Sequence, residues 1–130
     1  MIHDELVTYE VAKLAKEEGF NAKCYHYYQR GELQSDGCFN RYNKGVDSIC
    51  SAPTQSLLQR WLREEKIVNI SIDSEEDFGG ENLIYEWQAS HKKYIADGSF
   101  ILNTVSDMEF YSTYEKALEY ALKYALENLT

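Results

Sequence analysis

A single α+β domain over residues 1–130, an antiparallel sheet covered on one face by about three helices, is the architecture this sequence predicts. Three segments repeat apolar residues at helical spacing and two alternate apolar with polar residues. The connections after the second helix are too short for parallel crossovers, which favours antiparallel pairing. The 130 residues suit one domain, large enough to bury roughly two-thirds of the unfolded surface without a metal or disulfide staple.

The first helix is expected from Thr8 to Glu18, with Val7, Val11, Leu14, Ala15 and Glu18 on one face and Glu10, Lys13 and Glu17 outward. Gly19 supplies a left-handed stop, and Phe20 behind it packs back on the helix. Residues 23–28 are rich in β-favouring aromatics, and Gln29-Arg30-Gly31 predicts a turn into a return strand. Gly37, Asn40, Asn43 and Gly45 punctuate 36–50, which predicts a broken third strand around Phe39–Tyr42 and then a loop.

The second helix is placed from Ser51 or Ala52, with Ser51 as cap and Pro53 where a missing N–H costs nothing. Leu57, Leu58, Trp61 and Leu62 form its buried stripe, Gln55, Gln59 and Arg63 line another face, and Arg60 can pair with Glu64. Strict alternation over 67–72 predicts a strand, followed by an acidic loop at 73–82 and a second strand at 83–89. Turns at His91 and Gly98 give strands near 92–96 and 99–105. Ser112 with Glu115 forms a capping box, and Tyr114, Ala117, Leu118, Ala121, Leu122, Ala125 and Leu129 give the last helix its apolar face.

Composition narrows the function. Apolar content of 44% excludes a disordered chain, and eleven tyrosines predict phenol rings at the edge of the core, where each hydroxyl finds a partner or water. A net charge of −9 with no basic patch argues against nucleic acid as partner. Residues 66–86 set Asp73, Glu75, Glu76, Asp77, Glu81 and Glu86 against Lys66 alone, either a solvated loop or a docking surface for a basic partner. Three irregularly spaced cysteines, an acidic start and no apolar run long enough to cross a bilayer predict a reduced, cytoplasmic protein without membrane contact.

The run A-P-T-Q-S-L-L-Q-R-W-L-R-E at 52–64 and the helix Y-S-T-Y-E-K-A-L-E-Y-A-L-K-Y-A-L at 111–126 resemble a group of small phage- and prophage-associated proteins of gut-dwelling anaerobic bacteria. The opening E-V-A-K-L-A-K-E-E-G-F at 10–20 and the C-Y-H-Y-Y hairpin at 24–28 are similar to the same group, so the resemblance spans nearly the whole chain. It implies a mobile-element setting and carries over no activity.

Tests for chemistry return little. Cys24 and His26 lie two apart on one side of a strand, but Cys38 and Cys50 are lone residues and a closed zinc site needs four ligands. An EF-hand frame from Glu75 meets Asp77, Gly80 and Glu86, yet Glu75, Gly79 and Asn82 occupy positions that want other residues. Cys24 and His26 sit about 7 Å apart on a strand, too far for a nucleophile–base hydrogen bond, and His91 can meet Cys38 or Cys50 only through the fold. Phosphate-loop, dinucleotide and hydrolase motifs are missing, and no cofactor is expected. Arg60 and Arg63 beside exposed glutamines could read a groove, but Glu64 and Glu65 adjoin them.

The leading expectation is a non-enzymatic interaction protein that binds another protein, or itself, through Tyr25, Tyr27, Tyr120 and Tyr124 with help from Glu75, Glu76 and Asp77. The competing expectation is a small-ligand site or minor enzyme around Cys24, His26 and Trp87, and a third is an acidic mimic of nucleic acid.

Overall fold

The structure is a computed structural model and describes residues 4–35, 49–77, 79–80 and 82–130. Among the described residues three helices and six strands form a mixed α+β fold. The helices are α1 (Tyr9–Glu17), α2 (Gln55–Glu65) and α3 (Tyr114–Asn128). The strands are β1 (His26–Gln29), β2 (Glu32–Ser35), β3 (Ile49–Ser51), β4 (Val68–Glu76), β5 (Leu83–Tyr94) and β6 (Phe100–Val105). They divide into two antiparallel sheets of three strands each, ordered β2-β1-β3 and β4-β5-β6.

Thr8 caps α1 by accepting from the Val11 N–H. The helix closes where Gly19, at φ +91°, lets the Gly19 and Phe20 N–H groups return to the carbonyls of Lys16 and Ala15. Phe20 is thereby buried edge-on against Trp61, ring centroids 5.4 Å apart. Arg30 and Gly31, both at positive φ, make the two-residue turn that sets β1 on β2 with Gln29 opposite Glu32. The third strand expected at Phe39–Tyr42 lies outside the described residues.

The start of α2 corrects the sequence. Ser51 is fully buried in β3, where it pairs with Tyr27, and the cap is Thr54, whose hydroxyl accepts from the Leu57 N–H. Tertiary pairing moves the cap. The Val7 N–H donates to the Pro53 carbonyl and the Gln55 N–H to Glu5, so the chain through 52–54 stays extended. Gln55 is not on an exposed face; it is buried and donates to the Glu115 carbonyl at 2.8 Å and to Glu119 Oε1 at 3.0 Å. The Arg60–Glu64 pair forms at 3.0 Å across an exposed turn.

β4 and β5 are both longer than alternation indicated. Asp73, Glu75 and Glu76 are strand residues opposite Glu86, Ile84 and Leu83, because acidic side chains on a solvent-facing strand interrupt no backbone pairing. The chain does not turn at His91 either, since β5 runs through it with Val68 on one side and Asn103 on the other. α2 packs on β4, α3 packs on β4, β5 and both other helices, and α1 packs on β3.

Ala117, Ala121 and Ala125, one turn apart and fully buried, allow α3 to approach its neighbours closely, while Leu118, Leu122 and Leu126 fill the core beside them. Each buried leucine contributes about 1.5–3 kcal/mol. The cap of α3 also sits one residue beyond the capping box: Thr113 accepts from the Lys116 N–H at 3.1 Å. Urea unfolding midpoints check this placement. Thr113→Ala is expected to cost about 1 kcal/mol and Ser112→Ala under about 0.5 kcal/mol.

Candidate functional site

The residues singled out in the sequence fall in four places. Cys24 and His26 are brought together in a cleft of about 420 Å³ between the segment Asp4–Leu6, the β1 entry and the start of α2, with Tyr25, Pro53 and Leu57 among its walls. Burial pushes the Cys24 thiol up to about 11, against a lowering contact from Ser51, so it stays protonated and non-nucleophilic near neutral pH. Trp87 is not part of that cleft; it lies in the core on β5. Cys50 is buried on β3, its thiol also raised by burial against the pull of Lys16 and Lys13, and Cys38 lies outside the described residues. Among the described residues no three His, Cys, Asp or Glu side chains are grouped to hold a metal ion, and no helix is long and apolar enough to cross a membrane.

The tyrosines divide between core and surface. Tyr25 is exposed at the cleft, and Tyr27 is half-buried on β1. Tyr28 is the ring that joins the core: its hydroxyl donates to the Val7 carbonyl at 2.7 Å and its ring tilts on Tyr9 at 5.4 Å. Tyr124 is half-buried against Trp87 at 5.3 Å. Tyr120 is a surface residue, stacked at 4.9 Å on the buried Tyr111. Glu75 and Glu76 are exposed at the end of β4, and Asp77 closes the hairpin by donating its N–H to the Asn82 carbonyl.

The most constructed surface was not signalled by the sequence. β6 leaves β5 after Val105, opposite Ala89, and the chain returns to the same strand at Tyr111, which exchanges both backbone hydrogen bonds with Tyr85. That return is two residues out of register, so Ser106–Phe110 bulges from the sheet. Side chains at its base hold it. Asp107 lies at the surface but its Oδ2 accepts from the buried Trp87 indole at 3.0 Å and from the Tyr111 hydroxyl, while Oδ1 accepts from the Glu109 N–H. Ser106 accepts from the Met108 N–H and donates to Glu86.

Met108 consequently adopts φ +58°, a left-handed conformation that costs about 1 kcal/mol or more for a residue with a side chain. It is 83% exposed, and Phe110, Tyr114 and Tyr120, which follow it in the chain, are 50%, 42% and 48% exposed. Tyr114 meets Tyr85 edge-on at 6.2 Å, which continues the aromatic surface toward the acidic β4–β5 hairpin, where Ser74 faces Tyr85. Tyr120 also borders a groove of about 240 Å³ between α1 and α3, edged by the Lys123–Glu10 ion pair at 2.9 Å.

No family model, no curated protein and no solved structure matches this chain.

Asp107 is therefore the positioning residue of this surface. Asp107→Ala is expected to cost about 2 kcal/mol by removing charge-assisted acceptors from Trp87 and Tyr111, read by denaturant unfolding with the Trp87 fluorescence as probe. Alkali gives a second check. Burial, with the Asp107 carboxylate adding to it, pushes the Tyr111 phenol up to about 12. Both Tyr111 and Cys24 thus bind protons more tightly folded than unfolded. Their contribution is complete below the unfolded values of 9.0 for the thiol and 10.0 for the phenol, and is lost as pH rises through about 11 and about 12. Stability is expected to fall steadily across that window, and Tyr111→Phe should flatten its upper part.

Proposed function

We propose that this protein is a non-enzymatic interaction module of phage or prophage type, which binds a partner protein through the aromatic surface Met108, Phe110, Tyr114 and Tyr120. One observation carries the reading. A left-handed methionine and an exposed phenylalanine are held out of the sheet by a bonded bulge, where burial alone would have returned them to the core. Aromatic and methionine side chains supply large contact area at low entropic cost, and such residues are enriched at the centres of interfaces. Glu109 and Glu115 adjoin them in sequence, and Glu75 and Glu76 stand on the neighbouring hairpin, so the partner is expected to present an apolar anchor flanked by basic residues. The resemblance to phage-associated proteins supports the setting and leaves the partner open.

A photoreactive amino acid at position 108, used in lysate of the source cell, should crosslink one partner through a discrete peptide. Phe110→Ser with Tyr120→Ser should reduce capture of that partner more than tenfold. Charge reversal at Glu75, Glu76 and Asp77 should weaken capture at low salt and matter little at high salt. Capture that is indifferent to the serine pair would sink the reading, and indifference to charge reversal at low salt would remove its acidic half.

A second reading attaches to the cleft that unites Cys24 and His26. Its volume and apolar walls suit a small ligand with one polar group for His26. Binding of a small aromatic carboxylate, followed by imidazole and Tyr25 ring shifts in NMR, should vanish in His26→Ala; unchanged binding in that variant contradicts it.

A further inference from the structure

The two edges of the β4-β5-β6 sheet are finished differently. On β4 a side chain from α2 covers the edge: Gln59 Nε2 donates to the Ile70 carbonyl at 2.9 Å, and α2 packs along the strand. Among the described residues β6 has no comparable cover. Its consecutive residues Phe100, Ile101 and Leu102 are 51%, 48% and 58% exposed, so both faces of the strand are open. Edge strands are ordinarily blunted by charge, proline or a bulge within the strand. From Ser99 to Val105 this one carries no charged residue and no proline.

The phase of the ladder shows which backbone groups face outward. The Ile95 N–H donates to the Ser99 carbonyl at 2.9 Å, and Ile101 and Asn103 stand opposite Lys93 and His91. Antiparallel pairs alternate between bonded and non-bonded, so Ile101 and Asn103 spend their backbone groups on β5. The N–H and C=O groups of Phe100, Leu102 and Thr104 turn to the open side. The edge ends at Val105, where the bulge takes the chain out of the sheet.

We propose that this edge pairs with a second copy of the chain, β6 antiparallel to β6, across a two-fold axis at Leu102. Only that register gives every outward N–H and C=O of Phe100, Leu102 and Thr104 a partner from within β6: Phe100 meets Thr104, and Leu102 meets its own counterpart. The result is one continuous sheet of both copies, with no open β6 edge. Charge permits a second copy here. Residues 88–106 hold Lys92 and Lys93 against Asp97 in a chain of net charge −9, so two copies meet through a stretch that does not share the chain's acidic excess. Lys92 lies 4.0 Å from the Phe100 ring centroid, which keeps its charge on the face of the hairpin and off the edge. This surface is distinct from the Met108–Tyr120 surface, and each can fail without the other.

Sedimentation velocity of the full chain from micromolar to millimolar concentration should approach twice the 15.1 kDa chain mass. Thr104→Pro removes an N–H that β5 does not use, and should weaken self-association about tenfold or more while circular dichroism stays unchanged. Should that variant misfold, thiol crosslinking reads the register directly. In Leu102→Cys the two positions stand roughly 5.5 Å apart, inside the roughly 4.4–6.8 Å that a disulfide spans, so mild oxidation links the copies. In Phe100→Cys they stand about 13 Å apart and stay unlinked. A chain that remains monomeric at millimolar concentration overturns the proposal. A dimer indifferent to Thr104→Pro, or linked equally well through position 100, overturns it too.

Discussion

The Asp107 carboxylate is the contact on which the rest of this molecule turns. It accepts from the indole of Trp87, one of the largest fully buried side chains, and from the hydroxyl of Tyr111, where the chain rejoins β5. A carboxylate at the surface is thus tied to the centre of the core through two donors that burial would otherwise strand. The tie fixes where β6 ends, forces the bulge that follows it and sets the position from which α3 begins. Tyr124 on α3 then covers the other side of the same indole. Sheet, bulge and helix share one anchor, and the exposed aromatic surface is a consequence of how that anchor is satisfied.

A second carboxylate joins the helices. Glu119 on α3 accepts from both the backbone N–H and the hydroxyl of Thr8, the cap of α1, and from the buried Gln55 amide in the first turn of α2. Its negative charge lies at two helix N-termini, where the helix dipoles favour an anion. The alanine stripe of α3 leaves room for that convergence, and larger residues at 117, 121 or 125 would separate the groups that meet there. The packed side of the fold is therefore closed by apolar contact and one shared acid, while the open side presents β6 and the bulge.

Much of this was legible in the sequence because period alone carries it. The apolar stripes of α2 and α3, the Gly19–Phe20 stop and the Arg30–Gly31 turn are local, and local rules find them. The acidic stretch reads as a loop in the sequence because β4 pairs through its backbone and leaves Asp73, Glu75 and Glu76 in water. Ser51 looked like a cap because its strand pairing with Tyr27 depends on a segment far along the chain, and Gln55 looked exposed because its acceptors lie sixty residues or more away. The candidate surface was the least legible part. Trp87 and Asp107 are twenty residues apart, and nothing in D-M-E-F-Y at 107–111 announces a left-handed methionine. The tyrosine surplus pointed toward aromatic contacts in general, and only packing sorts Tyr120 at the surface from Tyr124 at the core edge.

The central claim is that the bulge is rigid before any partner arrives, so that Met108 and Phe110 are displayed and not merely loose. Backbone ¹⁵N relaxation of the free protein measures this directly. The account predicts order parameters across Ser106–Tyr111 near the strand value of about 0.85, together with a Trp87 indole proton protected from exchange; values below about 0.6 at Met108 with a rapidly exchanging indole would contradict it.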